Sequence, residues 1–309
     1  QKTDLNVSPY YDDFDETDNF SRTLFRPGFA IQARELTQLQ STLQNQIEKH
    51  GSHIFKEGAV VIPGAISLNP YYYSLKLAST FASETVDPSQ YYNVTTPVTI
   101  TGVTTGVTAV VIGFDAATTT DQPTLYIRYL ATGTDNVTRV FADGENISAN
   151  AGVTHTTAYS TDIASSTTYT SLFSAGAGSS VANLAGSTGP ASRKGSAVHI
   201  QAGVYYVRGF FVTCSEETFV LDKYSDTPSY RIGFTITETL VTPESDTTLL
   251  DNATGANNFA AKGAHRLKIS LALSKLDRGS TADGSFIELM DVNGGDIQSM
   301  VRATEYSVL

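Results

Sequence analysis

Hydrophobic positions along the chain change period once. From Phe29 to about His50 they recur at helical spacing: Phe29, Leu36, Leu43 and His50 stand seven apart, and Leu39 and Ile47 fill the intermediate turns. This pattern predicts a helix that begins after Pro27-Gly28 and ends at Gly51, a residue that tolerates the left-handed position beyond a helix C-terminus. The helical segment is assigned to 29–56, and at 1.5 Å per residue the helix from Phe29 to His50 would be about 33 Å long. Its other faces carry Gln32, Gln38, Gln40, Gln44 and Gln46. Uncharged glutamine on so many faces suits a helix covered by another chain. The apolar stripe has two readings: a seam between subunits, or packing on the chain's own sheet. The heptads in this span are too few to establish a coiled coil.

Beyond the helix the period falls to two and the chain reads as strands. Glu57 to Leu68 and Tyr71 to Thr80 are β-prone runs separated by the turn-forming Asn69-Pro70. Val98-Thr-Ile100, Thr108 to Phe114, Thr124 to Tyr129 and Arg139-Val-Phe141 are divided by Gly and Asp-Gly or Asp-Gln-Pro signals, which describes a small inserted β-barrel or sandwich at 90–150. Ala, Ser, Thr and Gly dominate 151–195, a composition that builds little core and is assigned as a loop segment with weak strands. Strands then follow at Val198-His-Ile200, Val204 to Val207, Phe210 to Cys214, Tyr230 to Val241, Arg266 to Leu273 and Phe286 to Val292. In Arg266 to Leu273 the apolar Leu267, Ile269, Leu271 and Leu273 alternate with polar or small neighbours, so one face is expected to be buried. Asn293-Gly294 is the strongest hairpin signal. The expected class is mainly β, with 57–89 and 196–309 forming one multi-strand body beside the long N-terminal helix and the insertion.

Composition narrows the function classes. Of 309 residues, 17% are charged and 40% hydrophobic, which excludes disorder throughout. The net charge of -11, with no basic cluster, makes nucleic acid an unsuitable partner. A single cysteine, Cys214, allows neither an intrachain disulfide nor a thiolate metal cluster. Runs such as Ala59 to Ile62 are far shorter than the ~20 residues of a membrane-spanning helix, so no membrane insertion is expected.

Candidate chemistry is sparse. Residues 1–28 form an acidic, aromatic arm in which Asp12, Asp13, Asp15, Glu16 and Asp18 lie among Tyr10, Tyr11, Phe14 and Phe20, and its rings are expected to anchor it. Asp13, Asp15 and Thr17 alternate as in a calcium loop, but the glycine and glutamate such a loop needs are missing. His50 and His53, near Glu48 and Glu57, are separated by the expected helix end and are assigned to its cap, not to a metal. Gly176-Ala-Gly178-Ser179-Ser180 lacks the strand–helix setting of a nucleophile elbow, and Gly189 to Ser196 lacks the order of a phosphate loop. Neither a cofactor nor an enzymatic activity is expected. Tyr71, Tyr72 and Tyr73 could stack on sugar rings, against the alternative of a sheet with rings alternately buried and exposed.

Several motifs together resemble a known family: Asp12-Asp13-Phe14-Asp15, Leu24-Phe25-Arg26-Pro27-Gly28, Gln32 to Gln40, Phe55-Lys56-Glu57-Gly58, Ser229-Tyr-Arg-Ile-Gly233, Asp251 to Phe259, Gly263 to Ile269 and Thr304-Glu-Tyr-Ser307. The resemblance is to virion structural proteins, of the baseplate-peripheral or tail-fibre type, of contractile-tailed phages including T-even-like phages of cyanobacteria. It implies a non-enzymatic role in the virion tail, assembly in the host cytoplasm, other baseplate or fibre proteins as partners, and service in host attachment. It also implies three-fold order, that is a homotrimer, whose seam the helical stripe assigns to Phe29, Leu36, Leu39, Leu43 and Ile47, with a dimer or a hetero-assembly as the alternatives. Related chains commonly continue past the equivalent of Tyr306, so a longer protein is expected. The alternatives are a module binding host polysaccharide through Tyr71 to Tyr73, and a polysaccharide depolymerase.

Overall fold

A computed structural model describes residues 3–62, 64–81, 84–150, 168–174, 190–281 and 283–301. The chain is mainly β. Its elements are the helix α1 (Ala33–Ile54) and the strands β1 (Val60–Ile62), β2 (Ile66–Lys76), β3 (Thr80–Phe81), β4 (Glu84–Thr85), β5 (Thr99–Gly102), β6 (Thr108–Asp115), β7 (Thr124–Ala131), β8 (Asn146–Asn150), β9 (Thr168–Ser174), β10 (Ser192–Ile200), β11 (Gly203–Val207), β12 (Phe210–Cys214), β13 (Glu217–Asp222), β14 (Tyr230–Val241), β15 (Arg266–Asp277), β16 (Phe286–Asn293) and β17 (Asp296–Met300). Two compact units result. Unit 1 comprises Gln1–Ser67, His199–Phe219 and Ser229–Leu309, and unit 2 comprises Leu68–Val198 and Val220–Pro228.

Unit 1 holds the helix, a three-stranded sheet β1-β11-β12 and a four-stranded sheet β15-β14-β16-β17. Its core includes Tyr205, Tyr206, Ile232, Phe234, Leu273, Leu289 and Met290, and the ring edge of Tyr205 meets Phe234 at a centroid distance of 4.8 Å. The expected alternation in β15 is present but graded. Leu273 is buried, whereas Leu267, Ile269 and Leu271 are half-buried. The reason lies in the pairing: β16 runs beside β14 only as far as Thr235, and beyond it β14 and β15 continue as a two-stranded ribbon with less cover. Asn293-Gly294 does open the hairpin between β16 and β17, with Asn293 opposite Asp296.

Unit 2 is built on an eight-stranded sheet in the order β13-β10-β2-β7-β6-β5-β8-β9, with β3 and β4 as a separate small hairpin. Leu75, Ile100, Val111, Leu125, Ile127, Phe141 and Ile147 are among the buried residues of its core. The expected barrel or sandwich at 90–150 is therefore corrected to an open sheet, with β5 to β8 sharing it with strands from well outside that range. Strand alternation specifies which face a residue occupies and not which strand lies beside it, so the boundary at 90 was not written in the pattern. Two further expectations change. Asn69-Pro70 does not divide two strands but lies within β2, outside the Tyr73 to Lys76 stretch that pairs with β7. Arg139 to Phe141 is loop and the fourth strand lies at β8, with Phe141 buried as a loop residue. Most of the low-complexity segment, 151–167 and 175–189, lies outside the described residues, as do Gly176 to Ser180 and the Thr304 to Ser307 motif. Within that segment β9 pairs with β8, and β10 begins at Ser192.

One buried carboxylate holds two loops of unit 2 together. Glu145 accepts from the backbone N–H groups of Ala142 (2.7 Å), Thr105 (3.1 Å) and Thr104 (3.2 Å), and from the Thr105 hydroxyl at 3.1 Å. Replacing it with alanine leaves these donors without their acceptor in a site 6% exposed. Glu145→Ala is expected to cost about 2–4 kcal/mol, read as a lower urea midpoint at unchanged slope, with Glu145→Gln intermediate.

Candidate functional site

The helix α1 is seated on its own chain by its polar face. Gln44 donates to the carbonyl of Gly209 at 2.7 Å, and the hydroxyl of Tyr206 donates to the carbonyl of Glu48 and shares a hydrogen bond with Ser52, each at 2.9 Å. Gly51, expected to close the helix, lies inside it and is buried. A Cβ there would fall 2.5 Å from the Tyr206 ring, so this glycine serves close packing rather than termination. The helix ends one turn later, where Phe55 packs on Tyr206 and on the edge of Phe211, both at 5.7 Å. At the other end the Glu35 carboxylate accepts from the Gln32 N–H at 2.9 Å.

The acidic arm closes over the same polar face, held by its carboxylates and by one of its rings, Tyr10, which meets His265 edge-on at 5.7 Å and shares a hydrogen bond with it at 2.6 Å. Asp13 accepts from Arg34 Nε and Gln38 Nε2, both at 2.8 Å, Asp12 accepts from the Ser41 hydroxyl, and Glu16 pairs with Lys49 and accepts from Asn45 at 3.1 Å. Tyr11 and Phe20, in contrast, are 60% and 70% exposed. The carboxyl group of Asp13 is held below its usual range chiefly by the hydrogen bond from Arg34, and that of Glu16 by Lys49. A depressed carboxylate stabilises the folded form above its unfolded pKa and loses that effect as pH falls through the folded value. Acidification below about pH 4 is therefore expected to release the arm, since carboxylates ordinarily titrate there. Loss of amide hydrogen-exchange protection over residues 10–19 below that pH, with β-sheet circular dichroism retained, would show it.

The face of α1 turned away from these partners is apolar. Leu36, Leu43, Ile47 and Ile54 are 51%, 57%, 48% and 48% exposed, and Phe29 is 64% exposed. Leu24, Phe25 and Ile31, from the segment before the helix, are exposed as well. Single exposed apolar residues are ordinary, but an ordered row of them along one helix face marks a contact surface. Of the two readings of the stripe, packing on the chain's own sheet does not hold for Leu36, Leu43 and Ile47, whereas Ile54 borders a cavity with Ile287, Leu289 and Met300 of β16 and β17. The expected seam also changes in detail. Phe29 precedes the helix and lies under the Arg26 guanidinium, 4.3 Å from the ring centroid, while Leu39 is half-buried beside the exposed row and Ile54 joins it.

The other candidate residues are not brought together. Asp15 accepts from the Thr17 N–H at 2.8 Å and caps a short 3-10 turn, and His50 and His53 are exposed. Among the described residues no group of His, Cys, Asp and Glu is placed to hold a metal ion. Tyr72 is 4% exposed against Tyr126, and Tyr73 is half-buried against Tyr129, so both rings are turned into the protein and do not serve as sugar-stacking faces. The side chain of Tyr71 lies outside the described residues.

A family model described as a domain of unknown function, DUF4815, matches residues 8–164 and 134–309. The chain belongs to the DUF4815 family. Neither a curated protein nor a solved structure matches it. The DUF4815 match takes in most of the arm, the whole of α1 and the β regions on both sides of the low-complexity segment.

Sequence reasoning missed one polar cluster of this DUF4815 chain. In unit 2, Lys76 is 4% exposed, 3.6 Å from Asp121 and 4.2 Å from the Tyr224 ring centroid. Asp121 accepts from the Tyr224 hydroxyl at 2.6 Å and faces Lys223 at 3.3 Å, and Lys223 reaches Asp115 at 2.7 Å. Burial pushes the Lys76 ammonium down from the ordinary lysine range. Burial also opposes the charge of Asp121, but the Tyr224 hydroxyl and Lys223 outweigh it and hold the carboxyl low. Opposite charges alternate through the cluster, which is what a buried polar network needs to fix a unique packing. No spacing in the sequence links Lys76, Asp121 and Lys223; only the sheet brings them together.

Proposed function

We propose that this DUF4815 protein is a non-enzymatic structural component of a contractile-tailed phage virion. In this reading it links the baseplate to a tail fibre or forms the fibre's proximal part, and so serves host attachment. It works in several copies, three in the arrangement that the sequence resemblance implies, alongside other baseplate or fibre proteins. The tail assignment rests on the resemblance read from the sequence motifs, from Asp12-Asp13-Phe14-Asp15 to Gly263 to Ile269. The observation that carries the assembly role is the orientation of α1, whose polar face is consumed by its own chain while Leu36, Leu43, Ile47 and Ile54 remain outside. A folded helix held in that orientation offers apolar area without a further ordering cost, which favours association.

Immunogold labelling of intact virions with antibody to this chain tests the location. Gold at the tail end is the expected result, and gold on the capsid, or on no particle, would overturn the reading.

A further inference from the structure

The spacing of the exposed face specifies more than a sticky surface. Ala33, Gln40, Ile47 and Ile54 stand seven apart, and so do Leu36, Leu43 and His50, and the two sets alternate at intervals of three and four. These are the a and d positions of a heptad repeat, and every one of the seven is exposed. The turn gained between His50 and Ile54 completes just over three heptads in the 22-residue helix. Three heptads are marginal for a free peptide, but α1 is already ordered by the arm and by Tyr206, so its nucleation cost is met before any partner arrives.

Charge indicates the partner. The helix carries Arg34, Glu35, Glu48 and Lys49, all at positions b and c, and Arg34 and Lys49 are engaged by Asp13 and Glu16 of the same chain. The positions flanking the seam are Thr37, Leu39, Gln44, Gln46, Gly51 and His53, none of which carries a fixed charge. Gln44 and Gly51 are covered by Gly209 and Tyr206 of the same chain, so the open flank is that of Leu39, Gln46 and His53, and there a chain of net charge -11 sets no fixed charge against a second copy. Gln40 is the polar member of the a row. In a parallel, in-register pairing it faces another Gln40, and an amide both donates and accepts, so each side chain completes the other. An antiparallel arrangement would set it against apolar residues and leave it unpaired.

Resting on the assembly reading above, we propose that α1 is one strand of a parallel, in-register coiled coil between copies of this chain, with the Gln40 layer fixing the register. The test is site-directed crosslinking of the full-length protein. Gln40→Cys, oxidised with copper phenanthroline, should give a covalent dimer on a non-reducing denaturing gel. Lys49→Cys, exposed but off the seam, should crosslink about tenfold more slowly, because only the seam raises the effective thiol concentration. Native Cys214 is buried, and the unsubstituted chain serves as its control. Mixing Gln40→Cys with Ile47→Cys chains distinguishes orientation, since preferential mixed dimers would reveal antiparallel helices and overturn the proposal. An oligomer by light scattering in which neither Gln40→Cys nor Ile47→Cys, which keeps the Gln40 layer, crosslinks to its own copy would overturn this geometry but leave self-assembly standing. A monomer would overturn both.

Discussion

Leu43→Asp is expected to convert the assembled protein to monomers while leaving its β-sheet circular dichroism and urea midpoint close to those of the parent. Leu43 is 57% exposed, so in a single chain the change costs no more than a surface substitution of about 0.5 kcal/mol. In the assembly each copy would bring a carboxylate into an apolar seam. Burying an unpaired charge costs several kcal/mol, enough to weaken association by more than about 100-fold. Light scattering after size exclusion reads the mass, and Leu43→Met should retain the assembled state. Unfolding or aggregation of Leu43→Asp would mean that the residue packs within its own chain, contrary to its exposure here.

The largest expected effect on stability is at Gly233. β14 and β16 shift register between Ile232 and Gly233, so Ile232 faces Met290 whereas Gly233 faces Glu288. The β16 backbone consequently comes so close that a Cβ at Gly233 would fall 1.8 Å from the carbonyl oxygen of Ile287. A backbone carbonyl cannot swing aside as a side-chain tip can, so alanine forces two central strands apart. Gly233→Ala is expected to cost more than about 3 kcal/mol or to leave the protein insoluble. Gly279→Ala, where nothing lies within 4 Å of the added carbon, should stay within about 0.5 kcal/mol of the parent. Equal urea midpoints for the two variants would show that β14 and β16 are not in this register.

What was legible in the sequence and what was not divides along physical lines. Local period was legible: the helical stripe from Leu36 to Ile47, the runs that became β6, β7, β14 and β16, and the hairpin at Asn293-Gly294 are all encoded by neighbours in the chain. Contacts between distant residues were not. Gly51 looks like a helix stop because glycine is common there, and only the ring of Tyr206 explains a glycine inside the last turns. The arm reads as aromatic from its composition, but Asp12, Asp13 and Glu16 find partners spaced along α1 that no motif announces. The stripe itself was visible, whereas its outward direction was not, because a row of leucines fits a core and an interface equally well. The Asp121 network, assembled from Lys76, Lys223 and Tyr224 by strand pairing, left no trace in spacing at all.

The central claim is that the outward face of α1 joins copies of this chain. Size exclusion with light scattering on the purified wild-type protein at micromolar concentration, without partner proteins, tests it most directly. The expected result is one species at a whole-number multiple of 33.1 kDa, greater than one, that falls to the single-chain mass in Leu43→Asp. A monodisperse wild-type species at 33.1 kDa would contradict it.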